Sequence, residues 1–270
     1  MEMGEPAGFV PMMTQTTSPC WFCEEEPKTD LTNGEDESPA SPEGQTEGAE
    51  NGESNDASVL GKNLGDRPTW SIKHKVDPED PIAAGESTNI VPAAHHLLPG
   101  GASVNKATGL HKYMLWKGKN SLGLSGPIGY DINSAPNGVW LPGNYAVRKD
   151  TVFNKTWGDF KDPFKNAYAR AAMKNAGNLQ LHDAHPAYNS NAKQTLLDLA
   201  KKLDEMWQDR SKCPVCKKDM KDKNRPPYGL VGRLNMLSGE HRKTLIFPEQ
   251  NRKAINSGYV TSSRVLDVFG

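Results

Sequence analysis

The chain has 270 residues, a formal net charge of −1 and a hydrophobic content of 36%. This length accommodates one substantial domain or two small ones, and the low apolar fraction predicts that part of the chain lies outside any packed core. The first residues lack the basic and apolar pattern of a cleavable signal peptide, and no apolar run approaches the ~18 residues of a membrane-spanning helix. We therefore expect a protein that is made in the cytoplasm and does not insert into a membrane.

Charge is distributed unevenly along the chain. Residues 1–23 carry a net charge of −2 and residues 24–58 carry −11, so residues 59–270 carry +12. Residues 24–58 are rich in Glu, Gly, Ser, Pro and Asn, and they cannot bury enough apolar surface to offset the entropy of ordering. The sequence predicts an N-terminal segment (1–23), a disordered acidic linker (24–58) and a basic domain (59–270). The basic domain favours an anionic partner such as nucleic acid, although mixed surface charge that only keeps the protein soluble explains the same count.

From Val59 onward, scattered aromatic residues with frequent Gly and Pro favour short strands and ordered loops over long helices. The stretch "NIVPAAHHLLPGG" (89–101) places a histidine doublet between an apolar strand-like run and a Pro-Gly-Gly turn. Further along, the turn pair Asn137-Gly138 precedes the strand-like "VWLP", which predicts a hairpin or tight loop.

Two helices are predicted in the second half of the domain. "DPFKNAYARAAMKNAG" (162–177) begins with Asp-Pro and ends at Gly, which predicts a helix of about four turns. Leu196, Leu199, Leu203 and Met206 recur at helical spacing, so an amphipathic helix should run to about Asp209. The C-terminal stretch "SGYVTSSRVLDVFG" is predicted to add an edge strand.

The four cysteines form two Cys-x-x-Cys pairs, "CWFC" and "CPVC". Each pair can supply two thiolates, and two pairs complete a tetrahedral structural zinc site, here formed by Cys20, Cys23, Cys213 and Cys216. Such a site would fix the N-terminal segment onto the C-terminal part while the linker loops out. Disulfides formed after export, or two unrelated surface pairs, are the alternatives. A thioredoxin-like motif is disfavoured because neither pair follows a strand in a βαβ pattern.

Seven histidines occur, and four of them form two groups, His95-His96 and His182-x-x-His185. His-x-x-His at a helix start places two rings within one turn, and the doublet could add a third nitrogen ligand for a metal. Ordinary hydrogen-bonded histidines are the alternative reading of both groups. The isolated histidines are expected to be solvated polar groups: His74, His111 and His241.

The two histidine groups contain the residue types that phosphodiester hydrolysis requires. The reaction needs an attacking water that loses a proton near neutral pH and a cation that holds the scissile phosphate. A metal ion held by two or three imidazoles, with other coordination positions open, supplies the cation. An adjacent histidine that does not bind the metal has a pKa suited to a general base. Neighbouring residues on a strand face opposite sides, so the doublet could supply both functions from one strand end.

Three blocks in order resemble the AHH family of the HNH/endonuclease VII (ββα-metal) nuclease superfamily. They are "AAHHLLPGG", "GYDINSAPNGVWLPGNYAV" and "LHDAHPAYNSNAKQTLLDLA", and the resemblance covers about Val91 to Leu199. It implies an α+β fold with a ββα-metal (HNH-like) core in loop-rich surroundings. Superfamily members commonly carry four-cysteine zinc sites around this core, so the two Cys-x-x-Cys pairs are consistent with the resemblance.

The resemblance also implies roles for individual residues. His95 would be a metal ligand and His96 the general base that activates water. Asn137 would correspond to the central Asn that orients the base-bearing loop. His185 would be the metal ligand on the helix, with His182 as a further one. Asp131 and Asn133 are expected to shape the loop through bonds to their own backbone, and Tyr188 to pack against the helix or position the phosphate.

The function implied is a metal-dependent, largely sequence-nonspecific endodeoxyribonuclease with Mg, Mn, Ni or Zn in its active site. Family members are often toxin domains of bacterial secretion systems, including type VI, and are paired with immunity proteins. The expectation is an effector made in the bacterial cytoplasm, exported without a cleavable signal peptide by a spike, tube or adaptor component, and active in the target-cell cytoplasm. Lys149 and Lys155 are singled out for phosphate contacts, among the cations flanking the motifs: Lys112, Lys117, Lys119, Arg148, Lys149, Lys155, Lys161 and Lys165.

Two further functions are consistent with the same residues. A ribonuclease on the same scaffold shares the site chemistry, and no base-reading module distinguishes it. A noncatalytic zinc-organised adaptor or DNA-binding protein would use every His and Cys structurally and would unfold on chelation. A metallopeptidase is disfavoured because neither histidine group has the His-Glu-x-x-His pattern.

Overall fold

The computed structural model describes residues 20, 22–23, 56–74, 85–115 and 122–269. These residues form a mixed α+β fold, so the predicted fold class is confirmed at that level. In chain order the elements are α1 (Ala57–Leu64), β1 (Trp70–Lys73), β2 (Ser87–Ile90), β3 (Pro92–His96), α2 (Thr108–Met114), β4 (Gly138–Pro142), α3 (Asp162–Asn175), α4 (Pro186–Met206), α5 (Gly229–Ile246), α6 (Arg252–Asn256) and α7 (Leu266–Phe269). No helix within these ranges is long and apolar enough to cross a bilayer.

The four strands form two separate antiparallel pairs, β1 with β2 and β3 with β4. In the second pair Pro92 lies opposite Pro142, and His96 lies opposite Gly138. The predicted strand after the Asn-Gly pair is therefore confirmed as β4. Its partner is the strand that carries the histidine doublet, so both histidines sit at the end of a paired strand.

Helix α1 packs against the β3-β4 pair. Asp56 caps the helix by accepting hydrogen bonds from the backbone N–H groups of Ser58 and Val59. The predicted disordered linker lies outside the described residues from 24 to 55, whereas its last three residues belong to this cap and helix. The ordered body thus begins before Val59.

The two predicted helices are confirmed with small shifts at their ends. Helix α3 begins with a proline in its first turn, and the chain leaves it through Gly177, whose φ of 81° suits a residue without a Cβ. Helix α4 ends at Met206, three residues before the predicted boundary. Its buried residues repeat at helical spacing and face the core: Tyr188, Ala192, Leu196, Leu199, Ala200 and Leu203.

The C-terminal part differs from the sequence prediction. Helix α5 was not predicted, because three of its buried positions carry polar residues that obscure the apolar period: Ser238, His241 and Thr244. Glycines at 229, 232 and 239 also weaken its intrinsic helix propensity, and tertiary packing overrides that preference. The predicted C-terminal edge strand is wrong: residues 263–269 form a 3-10 turn and α7, packed through Val265 and Phe269.

Three apolar clusters fill the interior. The first joins α2, α4 and the start of α5 and also contains Phe22. The second packs the aromatic face of α3, including Phe164 and Tyr168, against β1, β2 and the C-terminal turns. The third lies between β4, α4 and α5 and includes Leu97, which directly follows the histidine doublet. The end of β3 is therefore enclosed by packed helices.

Close packing at Gly138 gives a test of the contact between α1 and β4. A Cβ at this position would lie 2.5 Å from Leu60 Cδ1, closer than real Cβ contacts allow. We expect Gly138→Ala to lower the free energy of unfolding by about 1–3 kcal/mol, measured by urea denaturation. Gly126→Ala is the matched control, because nothing lies within 4 Å of its added Cβ.

The Leu60→Ala background shows whether the clash is the cause. Truncating Leu60 removes the atoms that the new methyl group would meet, so Gly138→Ala should cost less there than in the wild type. Fully additive costs would contradict the contact.

Candidate functional site

Three histidine rings converge beside the end of β3. His95 lies on β3, His182 lies in the loop before α4, and His185 is the N-cap residue of α4. Their ring centroids are 5.0–5.1 Å apart in every pair. The backbone N–H of His182 donates to the carbonyl of Pro142 on β4 at 2.8 Å, which fixes the loop against the sheet. The sequence-predicted metal ligands are thus brought together by β3, β4 and α4.

The geometry of these rings fits a divalent cation. One ligand nitrogen from each ring lies within 4.8 Å of the other two, and Nε2 of His182 and Nε2 of His185 are 3.3 Å apart. Two imidazole nitrogens bound tetrahedrally at ~2.1 Å would be about 3.4 Å apart. Nε2 of His95 is buried and has no hydrogen-bond partner among the described residues. A metal ion or a buried water would satisfy a lone pair at this position.

Burial also keeps the rings in the protonation state that binds metal. Desolvation holds the pKa of His95 well below its usual value, and nearby histidines lower it further. Desolvation likewise lowers the pKa of His182 to about 3. These two imidazoles are neutral at pH 7, and a neutral ring presents a nitrogen lone pair.

A layer of polar contacts supports His182. Its Nδ1 lies 3.0 Å from the hydroxyl oxygen of Tyr145, and as a metal ligand through Nε2 it would donate the Nδ1 proton to that oxygen. The neighbouring Asp183 accepts hydrogen bonds from the Asn144 side chain at 3.0 Å and from the Trp157 indole at 3.1 Å. Tyr145 lies in the second block of the resemblance, but the sequence analysis assigned no role to it.

His96 lies beside this cluster but is held by different residues. Its Nε2 is 2.9 Å from Oδ1 of Asn133, and the same oxygen accepts the backbone N–H of Asp56 at 3.1 Å. Because Asp56 supplies a fixed donor, the Asn133 atom must be the amide oxygen, and His96 must donate from Nε2. Nδ1 then carries the lone pair, and no described residue hydrogen-bonds to it.

Burial lowers the pKa of His96, while the Asn133 hydrogen bond and the carboxylates of Asp56 and Asp131 oppose that effect. The ring is neutral at pH 7 and able to accept a proton at Nδ1. Asp131 shapes the loop as the sequence predicted, because its carboxylate accepts the backbone N–H of Asn133 at 2.8 Å. Asn133 does more than shape the loop, since its side chain orients His96.

Asn137 is fully buried and uses both ends of its amide. Oδ1 accepts from the backbone N–H of Leu98 and the hydroxyl of Ser238, and Nδ2 donates to the carbonyls of Leu98 and Ile132. These bonds join the chain after the doublet to the preceding loop and to α5. The position suits the orienting role that the resemblance implies.

The three isolated histidines are not solvated. His74 and His241 are each only 5% exposed, so the prediction was wrong for them, and His111 is half-buried with Nε2 at 2.8 Å from the Val104 carbonyl. His241 donates from Nδ1 to the Leu97 carbonyl at 3.0 Å, and the hydroxyl of Tyr188 donates to the same oxygen. Tyr188 is fully buried, so it packs and braces β3 and does not reach a phosphate.

The four cysteines form a second cluster, which could hold a structural metal such as zinc. All four Sγ atoms lie within 4.8 Å of one another, with Cys20 3.6 Å from Cys213 and Cys23 3.5 Å from Cys216. A disulfide needs about 2.05 Å, whereas sulfurs bound tetrahedrally to zinc at ~2.3 Å are about 3.8 Å apart.

The pKa values of the thiols in this cluster differ. Burial raises the pKa of Cys213 to about 11, whereas hydrogen bonds from the Lys218 backbone and neighbouring thiols outweigh burial at Cys216 and lower its pKa to about 7. A metal bound here would need all four groups as thiolates, and its charge would balance theirs. Phe22, between the N-terminal cysteines, inserts fully into the first apolar cluster and meets Trp207 edge-on at 4.6 Å.

The cations singled out by sequence are placed as follows. Lys149 and Lys155 are exposed and lie near the carboxylate of Asp159, whose pKa is lowered first by hydrogen bonds from Thr156 and then by these lysines. Lys112 is paired with Asp204, and Lys117 and Lys119 lie outside the described residues. Phosphate binding by Lys149 and Lys155 stays a prediction.

A comparison of the chain with protein-family models, with curated proteins and with solved structures finds no match. The residues themselves and the motif resemblance are therefore the basis on which a function can be proposed.

The two clusters predict separable metal binding. We expect two zinc equivalents per wild-type chain by elemental analysis, one equivalent in His185→Ala, and one in Cys213→Ser. Only the cysteine variant should lose thermal stability strongly, because its cluster anchors Phe22 in the core. His111→Gln is the control that keeps both equivalents. Loss of both metals from either single variant would contradict two independent centres.

Proposed function

We propose that this protein is a metal-dependent endonuclease that hydrolyses phosphodiester bonds of DNA. The observation that carries the proposal is the convergence of three imidazoles, those of the buried His95 and of the half-buried His182 and His185. They lie beside a fourth, His96, whose tautomer is fixed by Asn133. His95 and His96 lie on β3, which pairs with β4, and His182 and His185 directly precede α4. This order agrees with the ββα-metal core that the resemblance implies.

The ligand set favours particular cations. Three imidazole nitrogens suit Zn²⁺ or Ni²⁺ better than Mg²⁺ or Mn²⁺, which prefer carboxylate, carbonyl and water oxygens. Three protein ligands also leave coordination positions open, as catalytic sites require. A bound cation would supply the positive charge that the scissile phosphate and its developing charge need.

The remaining chemistry belongs to the side chains. His96 accepts the proton of the attacking water at Nδ1. Its Nε2–H continues to donate to Oδ1 of Asn133, and this hydrogen bond stabilises the charged ring that forms. Asn137, Tyr188 and His241 keep the chain after His96 in place, so that Nδ1 stays aimed in one direction.

The biological role follows from the resemblance. We propose an antibacterial toxin made in the bacterial cytoplasm, exported by a secretion system through a spike, tube or adaptor component, and held inactive by an immunity protein. The charge of +12 on residues 59–270 supports a polyanionic substrate. A ribonuclease would share all of these features and is distinguished by the substrate it cleaves.

The first experiment is cleavage of supercoiled plasmid and of total RNA, side by side, after metal depletion and readdition of Mg²⁺, Mn²⁺, Ni²⁺ or Zn²⁺. We expect metal-dependent nicking and linearisation of the plasmid, strongest with Ni²⁺ or Zn²⁺. His96→Ala should lower the rate by about 10² to 10⁴, the usual contribution of a general base.

The matched control is His111→Gln, which removes a half-buried histidine from α2 without touching the cluster. It should cleave at the wild-type rate. Equal activity of His96→Ala and the wild type would refute the assignment of the base, and cleavage of RNA alone would make the protein a ribonuclease. A chain that binds both metals but cleaves neither substrate would favour the noncatalytic adaptor.

The hydrogen bond between Asn133 and His96 leads to a separate prediction about the cleavage rate. Asn133→Ala removes the oxygen that accepts a hydrogen bond from Nε2 of His96, so both tautomers of the ring become populated. We expect a roughly 10- to 100-fold slower cleavage, as is typical when a supporting hydrogen bond is removed. Nitrogen NMR of the histidine rings should show the change of tautomer, and metal content should stay unchanged. A slow variant with an unchanged His96 tautomer would contradict this role.

A further inference from the structure

The segment that follows α4 is strongly basic. Residues 210–225, here called the basic loop, contain seven cations and two carboxylates: Arg210, Lys212, Lys217, Lys218, Lys221, Lys223, Arg225, Asp219 and Asp222. The loop includes Cys213 and Cys216 and lies apart from the histidine cluster in sequence. The proposed nuclease chemistry does not use it.

The lysines of this loop are exposed and lack carboxylate partners. All five are exposed, and none of them forms an ion pair with a carboxylate in the described parts of the chain. The carboxylate of Asp222 instead accepts the backbone N–H of Asn224 and so shapes a turn. Elsewhere Lys112, Lys201 and Lys243 are each paired with an acid. The seven cations and two carboxylates give the basic loop a net charge of +5.

The backbone that carries these lysines is held in place. The guanidinium of Arg210 stacks on the Trp207 ring at 3.9 Å and donates to the Lys223 carbonyl at 2.8 Å. Cys213 and Cys216 anchor the middle of the loop in the cysteine cluster, and the Ser125 N–H donates to the Asn224 carbonyl at 2.7 Å. A ligand that binds the lysines does not have to order the loop first.

We propose that the basic loop is a second docking surface, which binds the phosphate backbone of duplex DNA. Lysines bind phosphates as point charges without reading sequence, and a duplex carries one charge per ~1.7 Å, so a loop with several exposed lysines can meet several phosphates at once. Residues 210–225 contain no aromatic side chain on which unpaired bases could stack, which favours a duplex over a single strand. The inference rests on the proposed function only for the choice of nucleic acid.

The test measures binding without turnover. Full-length His96→Ala protein, without chelator, is titrated into a fluorescein-labelled DNA duplex between about 50 and 200 mM salt. The loop variant adds Lys212→Gln, Lys218→Gln, Lys221→Gln and Lys223→Gln. It should bind roughly 10-fold or more weakly, and the slope of log affinity against log salt should flatten by about 0.9 for each phosphate that the variant no longer neutralises.

The control variant removes the same charge elsewhere, through Lys174→Gln, Lys201→Gln, Lys243→Gln and Lys253→Gln, all at exposed positions. It should keep the wild-type slope. Equal weakening in both variants would overturn the proposal, since binding would then follow net charge alone. Unchanged duplex binding by the loop variant, or a loss confined to single-stranded RNA, would overturn it too. Zinc content and thermal stability confirm that each variant is folded, and the plasmid assay tests catalysis separately.

Discussion

The hydrogen bonds that hold Leu97 and Leu98, directly after the histidine doublet, are the constraint on which the rest of the site depends. The Leu97 carbonyl accepts from Tyr188 on α4 and from His241 on α5, and both polar backbone groups of Leu98 are bound by the Asn137 side chain. A backbone held from three elements cannot rotate, so the two rings that precede it keep fixed directions. Two buried polar residues of α5 serve these contacts, since His241 binds the Leu97 carbonyl and Ser238 donates to Asn137.

The strand geometry then divides the doublet between two environments. Successive side chains on β3 point to opposite sides. His95 faces α4 and meets two other imidazoles, while His96 faces α1 and meets the amide of Asn133. His95 has a buried nitrogen without a hydrogen-bond partner among the described residues, as a metal ligand would need. His96 has its proton fixed on Nε2, which leaves Nδ1 free to act as the proposed base. Adjacent residues differ in this way because they lie on opposite faces of the strand.

Sequence patterns predicted those parts of the structure that depend on local signals. The α3 and α4 helices follow from their caps and apolar periods, and the histidine grouping follows from residue type and spacing. Asn133, Tyr145 and His241 were missed as site residues because their roles arise from contacts across 37 to 144 positions of sequence. His74 was misjudged for a similar reason: a buried histidine and a solvated one look alike until the neighbouring elements are placed.

The number of possible ligands distinguishes the two clusters. Four cysteines complete a tetrahedral shell, so a metal bound there would have no position for water or substrate and would only hold the chain together. Three histidines leave such a shell incomplete, so a metal bound there would keep positions open, as the proposed chemistry requires. The cysteine cluster adjoins Phe22 and the basic loop, while the histidine cluster is braced by α4 and α5. Under the proposed function, stability would therefore depend on one metal and reactivity on the other, and the loss of one need not remove the other.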